Sequence, residues 1–495
     1  MAQPLEPKSI KSLGIYGLIR QAEVDDDLIP DGAVTGSKNF HFDRKGVSTV
    51  RPGLTNVGAT VINRPPMQTV GLHNTLSNTA VVVFSEAGSS GIYSYDGSAW
   101  GISVSGGTAS VSIRFVDFGS YTIALNFNYN TYSSMRVWAG GADGASYWHT
   151  TGHSINPHNM WGRSPQFGEV YKSRVYLFGD TTQEGDPSRL YFSTVIDSQG
   201  SITFSPTVNY VDINPGDGED GTALKRFSLE LLCFKPNYIY RFRTSGVDPD
   251  PLIKIGTRSQ ESIVEGKRGL YFHHDSGFYR YTGGYPEELS RPISDFIEAI
   301  PYSQYKSIVA WKDNDHIYWS IGSVTIQETK EKVTWKNVVV RYTESSSVWT
   351  IYSFANEVRR GMTFNSGSAS SIVIGTDHGV VAAFNTGTTD FGEPIHYWLR
   401  TKWFDFGGMS FSKVINDVVT ICEKAQAMKF MYQVDDDSTR WRSFGQITDF
   451  RNLFNNNNIR FNRIRFQVTG SSRKEAPIFR GIEVIRGLFE GLIVE

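Results

Sequence analysis

The sequence predicts an all-β chain organised around a β-propeller of about six to eight irregular blades, with an extended N-terminal arm before it and a C-terminal antiparallel β-sandwich after it. Three observations lead there. First, residues 171–242 set a rhythm: short runs such as Val175-Tyr176-Leu177-Phe178 and Leu190-Tyr191-Phe192-Ser193 are rich in aromatic and branched residues, and Gly179-Asp180, Gly185-Asp186-Pro187 and Lys235-Pro236-Asn237 cut between them. Strands this short and this apolar need neighbouring sheets for burial, which four-stranded blades provide. Second, the rhythm recurs over residues 66–395, and blades of ~40–50 residues fill that span. Third, the strands lengthen beyond residue 396. There Ile464, Phe466 and Val468 alternate with Arg463, Arg465 and Gln467, the period-two pattern of a half-exposed sheet. The expected units are an arm and hairpin (1–65), a propeller (66–395) and a sandwich (396–495).

In chain order, Pro4 and Pro7 make the start extended, and Asp25-Asp26-Asp27 reads as a solvated turn. Asn39-Phe40-His41-Phe42 and Val47-Ser48-Thr49-Val50 form a hairpin around Gly46, which suits a turn position with positive φ; Arg51-Pro52-Gly53 ends it. Ala80-Val81-Val82-Val83-Phe84 is a strand-length apolar run, and strands follow near residues 91–95, 121–125 and 135–138. Residues 139–165 are rich in Gly, His, Asn and Pro and read as a long surface loop. Residues 269–281 form a second hairpin around Asp275-Ser276. One helix is expected before Pro301, with Ser294 as its cap, Asp295 at its positive end and an apolar stripe of Phe296, Ile297 and Ile300. Strands resume over 307–311, 316–321, 338–342, 348–352, 372–375 and 380–384, and Asn455 to Asn458 are a polar loop within the sandwich.

Composition narrows the function classes. Hydrophobic residues make up 39% and aromatics 13% of 495 residues, enough for a large core. Forty-eight Lys and Arg against 50 Asp and Glu leave a near-neutral chain, without the field of a dedicated nucleic-acid binder. Two cysteines, Cys233 and Cys422, with no CxxC, speak against a disulfide scaffold or a Cys-based zinc site and suit two buried thiols in a reducing compartment. No run reaches the ~18 apolar residues of a membrane span, and the N-terminus lacks a signal-peptide pattern, so a soluble chain that begins in a cytoplasm is expected.

Candidate chemistry is sparse. Asp217, Glu219 and Asp220 in NPGDGEDG, with Asp212 nearby, are weak candidates for a Ca²⁺ site; their spacing departs from the twelve-residue calcium loop, and an exposed turn is the favoured reading. His149, His153 and His158 have metal-like spacing but no element that would set them on one face. His273 and His274 are strand neighbours and point to opposite faces. The stretch 94–100 is one residue short of the Asp-box of sialidase propellers, and Glu287-Glu288 are poorly placed to flank a glycosidic bond. No nucleophile elbow, P-loop, dinucleotide fingerprint or HExxH is present. No catalytic residue, resident metal or cofactor is therefore expected, and no interaction residue is assigned.

Several segments together resemble a known family. Pro30-Asp31-Gly32-Ala33, Asn39, Phe42-Asp43, Gly46 and Arg51-Pro52-Gly53 come first; then Arg174 to Asp180, Pro187 to Ser193, Gly216 to Leu224, Leu231 to Arg241, Gly269 to Ile293, Thr401 to Lys413 and Tyr432 to Trp441. In this order they resemble the tail nozzle and packaged-DNA stabilisation proteins at the head-to-tail junction of tailed phages. The resemblance implies a propeller protein without catalysis of its own, made in the host cytoplasm and built into the virion tail. It implies a homo-oligomeric ring, commonly of six copies, that retains packaged DNA and conducts it during ejection, with duplex DNA only as passing cargo and with tail, adaptor or portal proteins as neighbours. Residues 1–28 are expected to lie against a neighbouring subunit. The other reading kept open is a carbohydrate-binding or glycan-cleaving propeller at the host surface, with exposed Trp and Tyr stacked on sugars.

Overall fold

The computed structural model describes residues 3–20, 28–42, 46–57, 68–75, 80–86, 89–95, 100–107, 112–119, 121–126, 135–138, 148–149, 160, 163–182, 185–197, 201–242, 251–328, 331–366, 369–408, 410–425, 428–435, 440–455 and 457–492. Nearly every element in them is a β-strand.

Successive four-stranded antiparallel meanders form the propeller. Blade 1 comprises Gln68–Asn74, Ala80–Glu86, Ser89–Tyr95 and Trp100–Gly107; blade 2 comprises Arg114–Phe118, Tyr121–Leu125, Met135–Trp138 and Trp148–His149. Blade 3 runs from Pro165–Tyr171 through Arg174–Asp180 and Arg189–Phe192 to Tyr210–Asp212, and blade 4 from Ala223–Phe227 through Glu230–Phe234 and Ile239–Phe242 to Pro251–Ile253. Blade 5 is short at both edges (Val264–Glu265, Leu270–His274, Gly277–Tyr281, Glu287–Glu288). Blade 6 is long (Val309–Lys312, His316–Glu328, Glu331–Thr343, Val348–Ser353).

Blade 7 closes the ring. Val358–Ser366, Ala369–Thr376 and Val381–Phe384 supply three strands, and the fourth, Leu54–Asn56, comes from the beginning of the chain and pairs antiparallel with Val381–Phe384. A separate apolar cluster fills each gap between blades. Val81 and Ile92 meet Ile113 and Ala124 between blades 1 and 2, and Val82 and Tyr93 meet Phe364 and Val373 between blades 1 and 7. Among the described residues the strand pairing gives seven blades. A meander is apolar on both faces, and burying both requires a neighbour on each side; only closure meets that for the first and last blades.

The largest cluster joins the propeller to the sandwich. It runs from Tyr271 and Phe278 of blade 5 through Trp319, Tyr342 and Trp349 of blade 6 to Phe430, Phe466 and Phe479. One sandwich sheet contains Glu393–Thr401, Ile464–Ser472, Met428–Val434 and Arg442–Ile447, with Val34–Lys38 along its edge. The other contains Phe411–Glu423 and Ile478–Leu492, with Arg451–Phe454, Ile459–Phe461, Gln3–Pro4, Lys8–Lys11 and the hairpin Phe40–Phe42 with Ser48–Val50. Ile464, Phe466 and Val468 all face this core, as their alternation requires.

Residues 1–65 are therefore not a unit of their own. Lys8–Lys11 pairs with the chain's own last long strand, Ile10 opposite Ile482. Ile10 and Leu13 are buried there, because an extended segment with apolar residues on one face gains most by completing an open sheet edge. The hairpin at residues 39–50 forms as expected, with Phe40 opposite Val50. The helix is shorter than expected: Ser294–Glu298 follows a 3₁₀ turn at Arg291–Ile293, and Ile293, not Ser294, occupies the cap position. Pro292 accounts for this, since it starts the turn early, and Asp295 is drawn to Arg20 at 3.1 Å. Asp25 to Asp27, most of residues 139–165 and the core of the 94–100 stretch lie outside the described residues; Trp148–His149 forms the outer strand of blade 2.

The seam between propeller and sandwich is held by Arg51, 1% exposed. Its guanidinium donates to both carboxylate oxygens of Asp390 (2.9 and 2.5 Å), to Asn39 Oδ1 (2.9 Å) and to the carbonyl of Pro52, and stacks 4.1 Å over Phe354. Asn39 sits at φ 61, donates to the His396 carbonyl and accepts from the Ser353 amide. Two residues on, a Cβ at Gly53 would lie 1.8 Å from the Thr389 carbonyl oxygen, so only glycine lets the strands cross. We expect Arg51→Ala to lower the unfolding free energy by about 3–5 kcal/mol, the cost of removing the buried partner of a largely buried ion pair, as read by urea denaturation. Arg51→Lys should recover only part of it, because an ammonium lacks the two-pronged geometry.

Candidate functional site

The innermost strands of the blades surround the propeller axis, and at one end of that axis three charged side chains meet. Arg114 opens the inner strand of blade 2, Arg360 lies near the start of blade 7's, and Glu261 sits in the 3₁₀ turn Gln260–Ser262 that leads into blade 5. Arg114 Nε lies 2.9 Å from Glu261 Oε1 and its Nη2 donates to Oε2 at 3.0 Å; Arg360 Nη2 lies 3.7 Å from Oε1. Groups from blades 2, 5 and 7 can touch only by spanning the interior of the ring.

The same cluster reaches the other blades. Arg360 donates to the Val70 carbonyl in blade 1, Arg114 to the Gln166 carbonyl in blade 3, and Gln260 Oε1 accepts from the Leu224 amide in blade 4. Ser259 Oγ donates to the Ile308 carbonyl at the entry to blade 6. Arg114 also stacks 4.6 Å over Phe167. One end of the axis is thus bridged by a hub that contacts all seven blades. Burial alone would raise the Glu261 carboxyl, but Arg114 and Arg360 outweigh it and bring the carboxyl down to about 2. Burial lowers the pKa of Arg360, and Glu261 counters that.

The loop around Asp217 forms a second polar knot. Lys235, fully buried, donates to Asp217 Oδ1 (2.7 Å), Ser188 Oγ and the Asn214 carbonyl. Tyr240 donates to Asp217 Oδ2 at 2.6 Å. Burial opposes ionisation of Asp217, yet the bonds from Lys235 and Tyr240 prevail and hold its carboxyl below the usual value. Glu219 turns the other way and accepts from the backbone and side chain of Asn237, while Asp220 is exposed. Asp212 pairs with Arg189 at 2.6 Å. The carboxylates do not converge on a common point, and among the described residues no cluster of three or more His, Cys, Asp or Glu could hold a metal ion.

The remaining candidates separate likewise. His153 and His158 lie outside the described residues, and His149 is described only as part of its strand. His273 is buried between Phe278 and Tyr305, its pKa pushed down to about 3 by burial and the adjacent His274. His274 turns to Ser276. Glu287 pairs with Arg280 at the edge of blade 5. Cys233 and Cys422 are both buried free thiols. The hub was missed by sequence reasoning: Arg114 and Glu261 are 147 residues apart, and each is a lone charge without a motif.

No protein-family model matches the chain, and no curated protein matches it. Among solved structures it is similar to the extracellular domain of the putative one-component system BT4673 from B. thetaiotaomicron, at 11% identity and a TM-score of 0.38. That alignment covers 67% of this chain and 40% of the other. A likeness of this order says nothing of activity; the propeller is read from the strand pairing itself. Among the described residues no helix is long and apolar enough to cross a membrane.

The hub has a measurable signature. At neutral pH, Glu261→Gln strands two arginines beside a neutral amide and should cost about 3 kcal/mol of stability. A carboxyl held at about 2 contributes stability that is complete above its ordinary value of 4.5 and is lost as pH falls toward 2. The gap in unfolding free energy between wild type and Glu261→Gln should therefore be constant from pH 7 to 5 and shrink below that.

Proposed function

We propose that this chain is a structural protein of a tailed-phage virion, assembling as a ring on the tail axis that retains packaged DNA and conducts it during ejection. The observation that carries the reading is where the resembling segments sit: several of them contribute to buried polar locks. Asn39 and Arg51 tie the propeller to the sandwich. Asp180, fully buried, accepts from Tyr191, Thr182 and the Ser164 amide at the end of blade 3's second strand. Asp217 and Lys235, from two successive segments, bind each other. Ser290 accepts from the Phe278 amide. Lys413, fully buried, donates to the carbonyls of Asp405, Gly408 and Asn462. Residues of this kind serve rigidity, which a ring holding a pressurised genome needs more than it needs a cleft.

The hub sharpens the geometry of the reading. With one end of the propeller axis bridged by Arg114, Glu261 and Arg360, the path for DNA runs between copies of the chain, along the axis of the assembly. Near-neutral charge suits a conduit, because strong phosphate contacts would hold the passing duplex. Native mass spectrometry and negative-stain electron microscopy of the purified chain test this. We expect closed rings with a central opening wider than the ~20 Å that a B-form duplex with its grooves implies. A monomer at every concentration, or one that turns over a host polysaccharide, would replace this reading with the glycan one.

A further inference from the structure

A cleft of about 520 Å³ opens between the long hairpin of blade 6 and the outer face of the sandwich. That volume lies in the range of small-molecule sites, ~300–1,000 Å³. Three cationic side chains line it, each from a different strand: Lys38 on Val34–Lys38, Lys336 on Glu331–Thr343 and Arg400 on Glu393–Thr401. Among the described residues that line it, none is acidic. The walls between the cations are indole: Trp335 and Trp398 lie with ring centroids 5.4 Å apart.

The strand register brings these groups together. Lys38 pairs directly with Trp398, and Arg400, two residues further along, projects from the same face of the sheet. The Arg400 guanidinium stacks 5.0 Å over Trp398 and 5.0 Å over Trp441, and its Nε donates to Gln467 Oε1 at 3.2 Å. These contacts fix its plane. Neither Lys38 nor Lys336 has a carboxylate within ion-pair distance among the described residues. Burial, and then the charge of Arg51, lower the pKa of Lys38. Its ammonium is thus half-buried in a positive environment, without a counter-ion among the described residues, a cost that a bound anion would remove.

We propose that this cleft binds a phosphate-type oxoanion. A doubly charged tetrahedral group offers several acceptor oxygens, enough to take Lys38 and Lys336 at once. The shared chemistry has two sources, free phosphate or the phosphate of a small organic molecule, whose remainder would rest against Trp335 and Trp398. The site is independent of the ring proposed above, because every group in it belongs to one chain.

Isothermal titration calorimetry of the full-length chain, at constant ionic strength set with chloride, distinguishes the sources through separate titrations with inorganic phosphate and AMP. Saturable binding of either is expected, and tighter binding of AMP would mark the organic phosphate as the source. Lys38→Gln and Lys336→Gln should each weaken it about tenfold, the loss of one charge-assisted hydrogen bond, while Lys306→Gln, on the distant turn Tyr302–Ser307, should leave it unchanged. Lys336 is exposed, so its variant folds whatever becomes of Lys38. The proposal is overturned if neither compound binds saturably at millimolar concentration, or if Lys336→Gln binds as tightly as wild type.

Discussion

A propeller whose last blade is one strand short cannot stand without that strand, and here the missing strand is Leu54–Asn56, from the opposite end of the chain. The preceding residues are spent in the same way: Lys8–Lys11, Val34–Lys38 and the 40–50 hairpin fill the edges of a sandwich otherwise made by the C-terminal part of the sequence. Arg51 stands where the chain leaves one task for the other. Its two bonds to Asp390, just beyond blade 7, close the ring and hold the sandwich to it in one contact. Both domains thus depend on both ends of the polypeptide, so neither is a complete folding unit over a continuous stretch of sequence. Contacts of such high sequence separation favour slow, cooperative folding.

The interior of the molecule is tied by buried charge as well as by apolar packing. Glu261 with its two arginines, Lys235 with Asp217, and Lys413 with three carbonyls each place an ionised group out of water and satisfy it. Such groups add little net stability over a well-packed apolar alternative, but each tolerates one arrangement of its neighbours and penalises others. In a ring of seven similar meanders, whose apolar faces could pack in shifted registers, that selectivity favours one register over the rest. The aromatic series through Phe278, Trp319 and Trp349, with the first two rings 4.4 Å apart, extends the same rigidity from blade 5 across blade 6 toward the sandwich.

Much of the fold was legible in the sequence because its signals are local. Alternation of apolar and polar residues, with turn formers at short intervals, is visible in any short window, so the blades, the hairpin around Gly46 and the buried face of Ile464, Phe466 and Val468 were all readable. What escaped was non-local. Leu54–Asn56 is three residues long and carries no signal that it will pair with Val381–Phe384, and the N-terminal strands look like a free arm until their partners are known. The helix at Ser294–Glu298 was overestimated because an apolar stripe was weighed without Pro292, which starts a 3₁₀ turn before it. The carboxylates of NPGDGEDG read as a turn with a faint calcium signal; Lys235, the cation that answers Asp217, lies in the next blade and was invisible as a partner. The hub at the axis is the extreme case, three isolated charges that acquire meaning only through the ring.

Native-state hydrogen exchange across Leu54–Asn56, Val381–Phe384 and Glu393–Thr401 tests the seam most directly. If both ends of the chain close one structure, the protected amides of these three strands share a single opening free energy, equal to that of global unfolding. Exchange of Leu54–Asn56 through a much cheaper opening, with the other two strands still protected, would show that the N-terminal segment is an appendage and that the ring closes without it.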